Sequence, residues 1–297
     1  MQLPAVGTRV SLRYRLPAGS VPPLTDVIGH LLDVGPTLRV RTKRGDVVQI
    51  AAADVVAIKA LAAAPVRTSQ IRATEQAAAM AWPGVEHQWL DGWLLRAAGG
   101  YTHRGNSAVP LGVEADLAAL PSIVEWYGSR GLTPWLSVPD RLLRLPDGFQ
   151  PHLETVVMVG DLLAGEPDSA VTLMPEPDER WLRLYERDVP VDVLTAVVDG
   201  EVVFASISGA AVGRAAVTDA PDGSRWVGIS AVRVAEDQRR RGHARTLCAA
   251  LVAWGRGRGA TRAYVQVLID NAAAVALYES MGLRTQHRSR YVDARSL

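Results

Sequence analysis

Apolar and polar residues alternate in short runs along the first part of the chain, with the two-residue period of strands that bury one face. These runs cover 8–16, 25–33, 37–40, 47–50 and 54–61. A polar turn at 43–46 separates the third run from the fourth. Short strands joined by polar turns predict a small β-barrel, and their order favours an SH3-like barrel over residues 1–62.

The segment 66–165 mixes helical and strand patterns, and it follows an alanine-rich stretch at 61–66. Apolar residues at helical spacing predict helices over 71–81 and 114–130. Alternating runs predict strands over 85–97, 102–111 and 133–138. This order of elements predicts an α/β unit.

The segment 170–297 carries a longer series of the same kind. Strands are predicted over 171–174, 193–198, 201–207, 225–234, 262–268 and 283–292. The run 211–217 is read as an extension of the strand at 201–207, and Asp199-Gly200 predicts a two-residue hairpin turn. Helices are predicted over 177–187, from 244 onwards and over 271–281. The whole chain is therefore predicted as an α/β protein preceded by a small barrel.

The two α/β segments share a pattern that indicates an internal repeat. Trp126-x4-Gly131 and the strand after it parallel Trp254-x4-Gly259 and its strand. Leu143-x4-Gly148 likewise parallels Leu277-x4-Gly282. We interpret 66–165 as a degenerate copy of the fold in 170–297. The alternative explanation is that these matches reflect only the ordinary alternation of helices and strands and not a repeat.

Residues 229–246 read as a strand, a charged turn and the start of a helix. The first N–H groups of a helix lack intrahelical partners and carry about half a positive charge. Arg239, Arg240 and Arg241 crowd this end, and Gly242 allows the backbone to approach a ligand closely. A helix start of this kind predicts a site for an anion such as a diphosphate.

The spacing Arg239-x-x-Gly242-x-Ala244 after a strand that ends at Val234 resembles the diphosphate loop of the GNAT N-acetyltransferase superfamily. The resemblance implies a GNAT fold, binding of acetyl-CoA, and transfer of its acetyl group to a primary amine of a small molecule or protein. It also implies that the pantetheine arm pairs with the strand end. The implied cofactor contacts are Val232, Arg233, Val234, Arg239, Arg240, Arg241, Gly242, His243, Ala244, Arg245, Thr246, Asn271 and Tyr278.

Asn271 and Tyr278 match a second motif of the same superfamily, with Asn271 as the cap of its helix. By this resemblance Tyr278 is the acid that protonates the leaving thiolate. A tyrosine has a pKa of about 10 and a thiol one of about 8.5. The alternative is a tyrosine of the core, because Ala274, Leu277 and Met281 share its helical face.

One position departs from the superfamily. Ser230 stands on the central strand where many members carry a glutamate that serves as general base. An alkyl ammonium is neutral only about one time in a thousand at pH 7, so another group must help. Glu201, Asp219 and Glu236 are the carboxylates of this region, and the sequence does not decide among them.

The first copy is not expected to bind the cofactor. After its strand it reads Val109 to Asp116 without a basic loop, and Glu114 and Asp116 would repel a diphosphate. Arg144 stands where the second copy has Tyr278. We therefore predict three domains: the barrel at 1–62, a degenerate half at 66–165 and the acetyl-CoA-binding domain at 170–297.

The composition of the chain narrows the classes of protein to which it can belong. With 48% hydrophobic and 21% charged residues the chain is globular, and its net charge of +1 argues against coating nucleic acid. Cys248 is the single cysteine and lies on the apolar stripe of its helix, which favours a packing role. No apolar run is long enough to cross a bilayer and no signal peptide is recognised, so we expect a cytoplasmic protein without membrane partners.

The sequence leaves two other functions open. A protein that binds CoA without turnover is one, because Ser230 replaces the common base. Nucleic-acid binding is the other, through a basic hairpin of Arg39, Arg41, Lys43 and Arg44. A solvated strand face is the simpler explanation of those four charges. Tyr14 is the single aromatic residue of the barrel, which provides little stacking surface for bases.

Overall fold

The computed structural model describes residues 3–43, 45–61, 66–162 and 170–297. The chain forms two compact units, Met1–Pro65 and Val66–Leu297. The predicted linker at 61–66 and Arg44 of the basic hairpin fall wholly or mainly outside the described residues.

The first unit is a five-stranded antiparallel sheet with the strand order β4-β3-β2-β1-β5. Its strands are β1 Arg9–Arg15, β2 Leu24–Val34, β3 Thr37–Thr42, β4 Val47–Ala51 and β5 Val55–Ala60. Inward-facing apolar residues from all these strands form one core, which includes Leu12, Leu31 and Val40. Each strand corresponds to one of the alternating runs, so the period-two pattern predicted this unit.

The second unit contains all the helices longer than one turn in the described chain. Its helices are α1 Thr68–Ala81, α2 Leu120–Gly128, α3 Glu179–Tyr185, α4 Val191–Thr195, α5 His243–Gly257 and α6 Ala272–Ser280. The strands of its first part are β6 Glu86–Leu90, β7 Trp93–Ala97, β8 Val109–Pro110, β9 Trp135–Pro139 and β10 Leu153–Asp161. The remaining strands are β11 Thr172–Met174, β12 Glu201–Ile207, β13 Ala211–Asp219, β14 Arg225–Val234, β15 Arg262–Leu268 and β16 Arg284–Asp293.

Eight strands of this unit form one sheet with the order β11-β12-β13-β14-β15-β10-β16-β9. Strand β14 runs parallel to β15, and α5 lies between them in sequence. The first half, within 66–165, repeats this strand–helix–strand arrangement. Ala108, beside β8, makes a parallel bridge to Leu136 of β9, and α2 lies between them in sequence. The two halves therefore share the strand–helix–strand arrangement that the repeated tryptophan and glycine spacings predict.

The halves exchange their last strands. Strand β10 of the first half pairs with β15 of the second, and β16 of the second half pairs with β9 of the first. The exchanged strands β10 and β16 then pair with each other. Because each half completes the sheet of the other, the predicted division into 66–165 and 170–297 does not separate two compact units.

Both faces of the large sheet are covered. Helices α5 and α6 pack on one face, where Leu247, Leu251 and Tyr278 meet Ile229 and Val265. Helix α1 packs on the other face through its small alanine side chains, which contact Trp226 and Tyr264. The alternation of side chains along β14 and β15 directs successive residues to these two faces.

Four local predictions need correction. The run 85–97 is a hairpin, because Asp91 and Gly92 both adopt positive φ angles and turn the chain between β6 and β7. In 102–111 only Val109–Pro110 forms a strand. The helix predicted from 114 begins at 120, after Asp116 caps a short 3₁₀ turn.

The fourth correction concerns the segment before β12. Residues 193–198 do not form a strand, because Val191–Thr195 is the short helix α4, whose Val193 and Leu194 are buried. The hairpin partner of β12 is β13, and the chain turns at 208–210 rather than at Asp199-Gly200. The run 211–217 is thus a separate strand and not an extension of β12.

Within the described residues, no helix combines the length and the apolar character needed to span a lipid bilayer.

Candidate active site

Strands β14 and β15 separate where β14 leaves the centre of the sheet. They pair in parallel from Trp226–Arg262 to Ile229–Val265. Beyond Ile229, β14 continues to Val234 beside β13 alone among the described strands. The backbone groups of 230–234 on the β15 side are therefore open to an extended ligand. We call this opening the β14–β15 cleft.

A bulge changes the direction of side chains at the start of the cleft. Ala231 has a φ angle of 53°, and the register with β13 shifts at this point. As a result Val232 and Val234 pack toward α5. Arg233 points the other way and forms an ion pair with Glu186 at the end of α3. The predicted contacts Val232 and Val234 thus offer backbone atoms to the cleft. The Arg233 side chain pairs with Glu186 through Nη2, while its Nε is buried without a partner among the described residues.

Helix α5 begins directly after β14 and a short loop, with Gly242 as its N-cap residue. Gly242 has a φ angle of 86° and no side chain caps the helix. A Cβ at this position would meet no atom within 4 Å. The first N–H groups of α5, at His243, Ala244 and Arg245, are therefore open and unobstructed. A helix end of this kind suits an anion.

The arginines of the loop differ in their partners. Arg239 lies 3.8 Å from Glu236, and Arg241 donates to Gln238 at 3.2 Å. Arg240 is exposed and has a φ angle of 63°. Arg245 donates to the Ser280 hydroxyl at 2.5 Å and so ties the start of α5 to the end of α6. His243 and Thr246 are half-buried in the first turn of α5.

Asn271 and Tyr278 lie at opposite ends of α6. Asn271 is exposed and caps the helix, since its Oδ1 accepts from the Ala274 N–H at 3.1 Å. Tyr278 is buried in the core between α5 and the sheet. Burial raises the pKa of Tyr278 well above its ordinary value, and the neighbouring Cys248 thiol raises it further. Both roles of Tyr278 weighed from the sequence, core residue and proton donor, are compatible with this position.

Ser230 belongs to a polar cluster on the α1 side of the sheet. Its hydroxyl accepts from Trp82 Nε1 at 3.2 Å and from Arg214 Nη1 at 3.4 Å. Arg214 is fully buried and its guanidinium lies 4.4 Å from the centre of the Trp82 ring. Ser230 is thus a hydrogen-bond acceptor for two donors and is held in place by them.

Two of the three candidate carboxylates are far from the cleft. Asp219 pairs with Arg225 at 2.8 Å, at the start of β14. Five residues at about 3.3 Å each separate Arg225 from Ser230, where the cleft begins, a distance of roughly 17 Å. Glu201 pairs with Arg258 beyond the far end of α5. Glu236 alone lies in the loop that follows β14, and its side chain is exposed.

Several residues near the cleft were not identified from the sequence. Gln266 follows the last paired residue of β15, and its side-chain oxygen is buried without a hydrogen-bond partner. The guanidinium of Arg104 lies over the ring of Trp82, the donor to Ser230. Its Nε is also buried without a hydrogen-bond partner among the described residues. Arg214 could have been identified from the sequence, because it is a charged residue that interrupts the apolar run Ala211–Val217. No sequence feature identified Arg104, since it lies in a loop that is distant in sequence from the strands of the cleft.

Comparison with known proteins decides the family. A family model described as "Probable histone acetyltransferase Rv0428c C-terminal" matches residues 68–292. A second, described as "Rv0428c N-terminal Sm-like domain", matches residues 4–59. The chain belongs to the Rv0428c acetyltransferase family.

Individual proteins agree with this assignment. The chain is 55% identical over 295 residues to the "Probable histone acetyltransferase Rv0428c" of Mycobacterium tuberculosis, covering 99% of this chain and 97% of the relative. It is 27% identical to the "Uncharacterized N-acetyltransferase YobR" of Bacillus subtilis, covering 71% and 94%. A solved GCN5-related N-acetyltransferase from Kribbella flavida superposes with a TM-score of 0.53 at 17% identity, covering 77% of this chain and 96% of that structure.

Membership of the Rv0428c family confirms the predicted GNAT fold and acetyltransferase activity. The predicted small β domain at the N-terminus is confirmed too, and its family model describes it as Sm-like. The enzyme alternative is thereby preferred over a protein that binds CoA without turnover. The roles of individual residues in the site stay predictions.

Proposed function

We propose that the second unit binds acetyl-CoA in the β14–β15 cleft and transfers the acetyl group to a primary amine. The open N-terminus of α5, next to the unpaired edge of β14, is the observation that carries this proposal. A nucleotide diphosphate needs several N–H donors in one place, and an extended amide-containing arm needs a strand edge. This part of the chain offers both within a few residues of one another.

Acetyl-CoA would supply the thioester whose acetyl carbon is attacked. On the protein side, the N–H groups of 242–245 would hold the diphosphate, and Arg240 would add charge that solvent partly screens. Backbone groups of Val232 and Val234 would pair with the amides of the arm. Gly242 would permit close approach, because no Cβ stands between the helix end and solvent.

The transfer also needs a proton donor for the leaving thiolate. We assign this role to Tyr278, which remains protonated across the neutral range because burial raises its pKa. A tyrosine with a raised pKa is a weaker acid but still donates a strong hydrogen bond to a thiolate. Acceptance of the amine proton is assigned to solvent or to Glu236, since Ser230 is occupied by two donors.

The acceptor is a primary amine, and the name of the Mycobacterium relative makes a histone lysine one candidate. Isothermal titration calorimetry with acetyl-CoA tests the cofactor site directly. Release of free CoA thiol in the presence of amines tests transfer. Absence of binding at high micromolar acetyl-CoA would contradict the proposal.

A further inference from the structure

The α1 side of the cleft holds three arginines around one tryptophan. Arg214 and Arg104 lie over the Trp82 ring, at 4.4 Å and 5.6 Å from its centre. Arg96 donates to the Trp82 carbonyl at 3.3 Å. Trp82 in turn donates to Ser230 at the start of the cleft. We call these three arginines with Trp82 the arginine cluster.

The hydrogen bonds of the cluster go to neutral acceptors. Arg214 donates to the carbonyls of Leu194, Ala81 and Ala196. Arg96 donates to the carbonyl and the hydroxyl of Ser107. Glu75 is the nearby carboxylate; it lies 2.7 Å from His287 Nε2, and its charge offsets part of that of Arg96. The cluster thus carries more positive charge than its surroundings compensate, and burying such charge is costly unless an anion accompanies it.

Burial is the main influence on the pKa values of the cluster, and the charge of Arg104 adds to it. Burial lowers the pKa of Arg214 to about 9, and burial likewise lowers that of Arg96. The positive charge of Arg104 lowers both a little further. A bound anion would relieve this repulsion.

Arg104 is the member that can reach a ligand. Its Nε is buried and donates to no acceptor in the described part of the chain. The loop that carries it is held rigidly, because Asn106 accepts from the N–H groups of Ala98 and Gly100 and donates to the Thr102 carbonyl. Arg104 is therefore prepositioned with an unused donor, its Nε, rather than mobile in solvent.

Gln266 provides a complementary group across the cleft. It follows Val265, the last residue of β15 that pairs with β14, so it stands opposite Ser230. Tyr264, two residues earlier, packs against α1, and strand alternation sends Gln266 to that same side. Its side-chain oxygen is buried without a donor among the described residues. Near the start of the cleft, a cationic donor of Arg104 and a neutral acceptor of Gln266 are therefore both buried without partners among the described residues.

We propose that the acceptor is a small primary amine that also carries a carboxylate, bound through the carboxylate by Arg104 and through the amine by Gln266. This inference rests on the proposed function and specifies its substrate class. The amine nitrogen forms the new C–N bond as the C–S bond of the thioester breaks. The amine proton passes to solvent or to Glu236, and the leaving thiolate takes its proton from Tyr278. A lysine-rich protein segment is disfavoured, since its positive charges would meet the arginine cluster.

The test compares matched amines at saturating acetyl-CoA. Each α-amino acid of a panel is assayed beside its amide and its decarboxylated amine, together with a lysine-rich histone-tail peptide. We expect kcat/KM for the amino acid to exceed that of its two matched analogues by at least about 10-fold, since a hydrogen bond to a charged group contributes 10- to 100-fold. Equal rates within each matched set, or a preference for the peptide, would overturn the proposal.

Variants separate binding of the carboxylate from a structural role of Arg104. Arg104→Gln should lower kcat/KM for amino acids by about 10- to 100-fold, leave the decarboxylated amines unchanged, and be partly rescued by Arg104→Lys. Gln266→Leu should raise KM for all amines alike. Arg256→Gln, an exposed arginine near the C-terminal end of α5, is the matched control. An equal loss for every amine in Arg104→Gln would contradict carboxylate recognition.

A binding measurement covers the case of low turnover. Calorimetry of N-acetyl amino acids against the CoA-saturated protein should show binding that Arg104→Gln abolishes. Absence of both turnover and product binding, with acetyl-CoA still bound, would overturn this inference and leave the cofactor site standing. Loss of acetyl-CoA binding itself would instead contradict the proposed function.

Discussion

Glu75 Oε1 lies 2.7 Å from His287 Nε2, and both side chains are almost completely buried. Glu75 belongs to α1 of the first half, whereas His287 belongs to β16 of the second. The contact fixes α1 against the exchanged strand. Since α1 ends at the residue before Trp82, it also fixes the helix that leads to the arginine cluster.

Removal of one partner should be costly. His287→Ala leaves the Glu75 side chain buried without its hydrogen-bond partner, and leaving a buried polar group unsatisfied costs about 1–3 kcal/mol. The expected result is a lower midpoint in chemical denaturation. Arg288→Ala, at an exposed neighbour on the same strand, should change stability by less than about 0.5 kcal/mol. Equal effects of the two substitutions would show that the buried pair contributes little.

Substitution of Gly242 tests the cofactor site. Gly242→Asp places a carboxylate at the open end of α5, where it would repel a diphosphate and compete for the same N–H groups. We expect the Kd for acetyl-CoA to rise by at least about 100-fold in calorimetry, from the loss of about 3 kcal/mol.

Gly223→Asp is the matched control for that variant. Gly223 has a φ angle of 78°, and a Cβ there would also meet no atom within 4 Å. Both substitutions thus carry a similar backbone strain, but Gly223 lies in the turn before β14, at the opposite end of the strand. Similar acetyl-CoA affinities for the two variants would contradict the placement of the diphosphate at α5.

The parts of the site that are close together in sequence could be predicted. Residues 229–246 form a strand, a loop and a helix start in succession, and each has a local signature in apolar spacing or in glycine. The role of Asn271 as N-cap of α6 was predictable too, because it depends only on residues close by in sequence. The Asp91-Gly92 hairpin was predictable on the same grounds, but the strand patterns on its two sides were taken as one strand.

The exchange of β10 and β16 could not be predicted, because an alternating pattern specifies which face of a strand is buried and not which strand lies beside it. The same limit applies to Arg104 and Gln266. They come within reach of one cleft only after the halves interlock, and each is an ordinary polar residue in its own segment. The arginine cluster is therefore a product of tertiary structure.

Alkaline pH should destabilise the protein through Cys248. Burial raises the pKa of this thiol to about 12 from its ordinary value of 9.0. The unfolded chain releases the thiol proton above pH 9 while the native protein retains it until about pH 12, so stability is complete below pH 9 and is lost through that window. About 1 kcal/mol should be lost by pH 10.

Denaturation midpoints between pH 8 and pH 10 measure this loss. Cys248→Ala should reduce the slope of stability against pH, whatever its effect on absolute stability. The native thiol should also resist alkylation at pH 8 and react after unfolding, because it is fully buried. An unchanged slope in Cys248→Ala would show that other groups, such as Tyr264 with its raised pKa, determine the alkaline limit.

Tyr278→Phe distinguishes a proton donor from a core residue. The ring of Phe fills the same space, so packing against α5 is retained and only the hydroxyl is removed. If Tyr278 donates to the leaving thiolate, kcat should fall by about 100-fold, the lower range for loss of general acid catalysis, while the Kd for acetyl-CoA stays unchanged. Cys248→Ala, which removes the neighbour of the same hydroxyl, should leave kcat near the wild-type value. A purely structural tyrosine would give the reverse pattern: Tyr278→Phe would lower the free energy of unfolding by about 1 kcal/mol with no change in turnover.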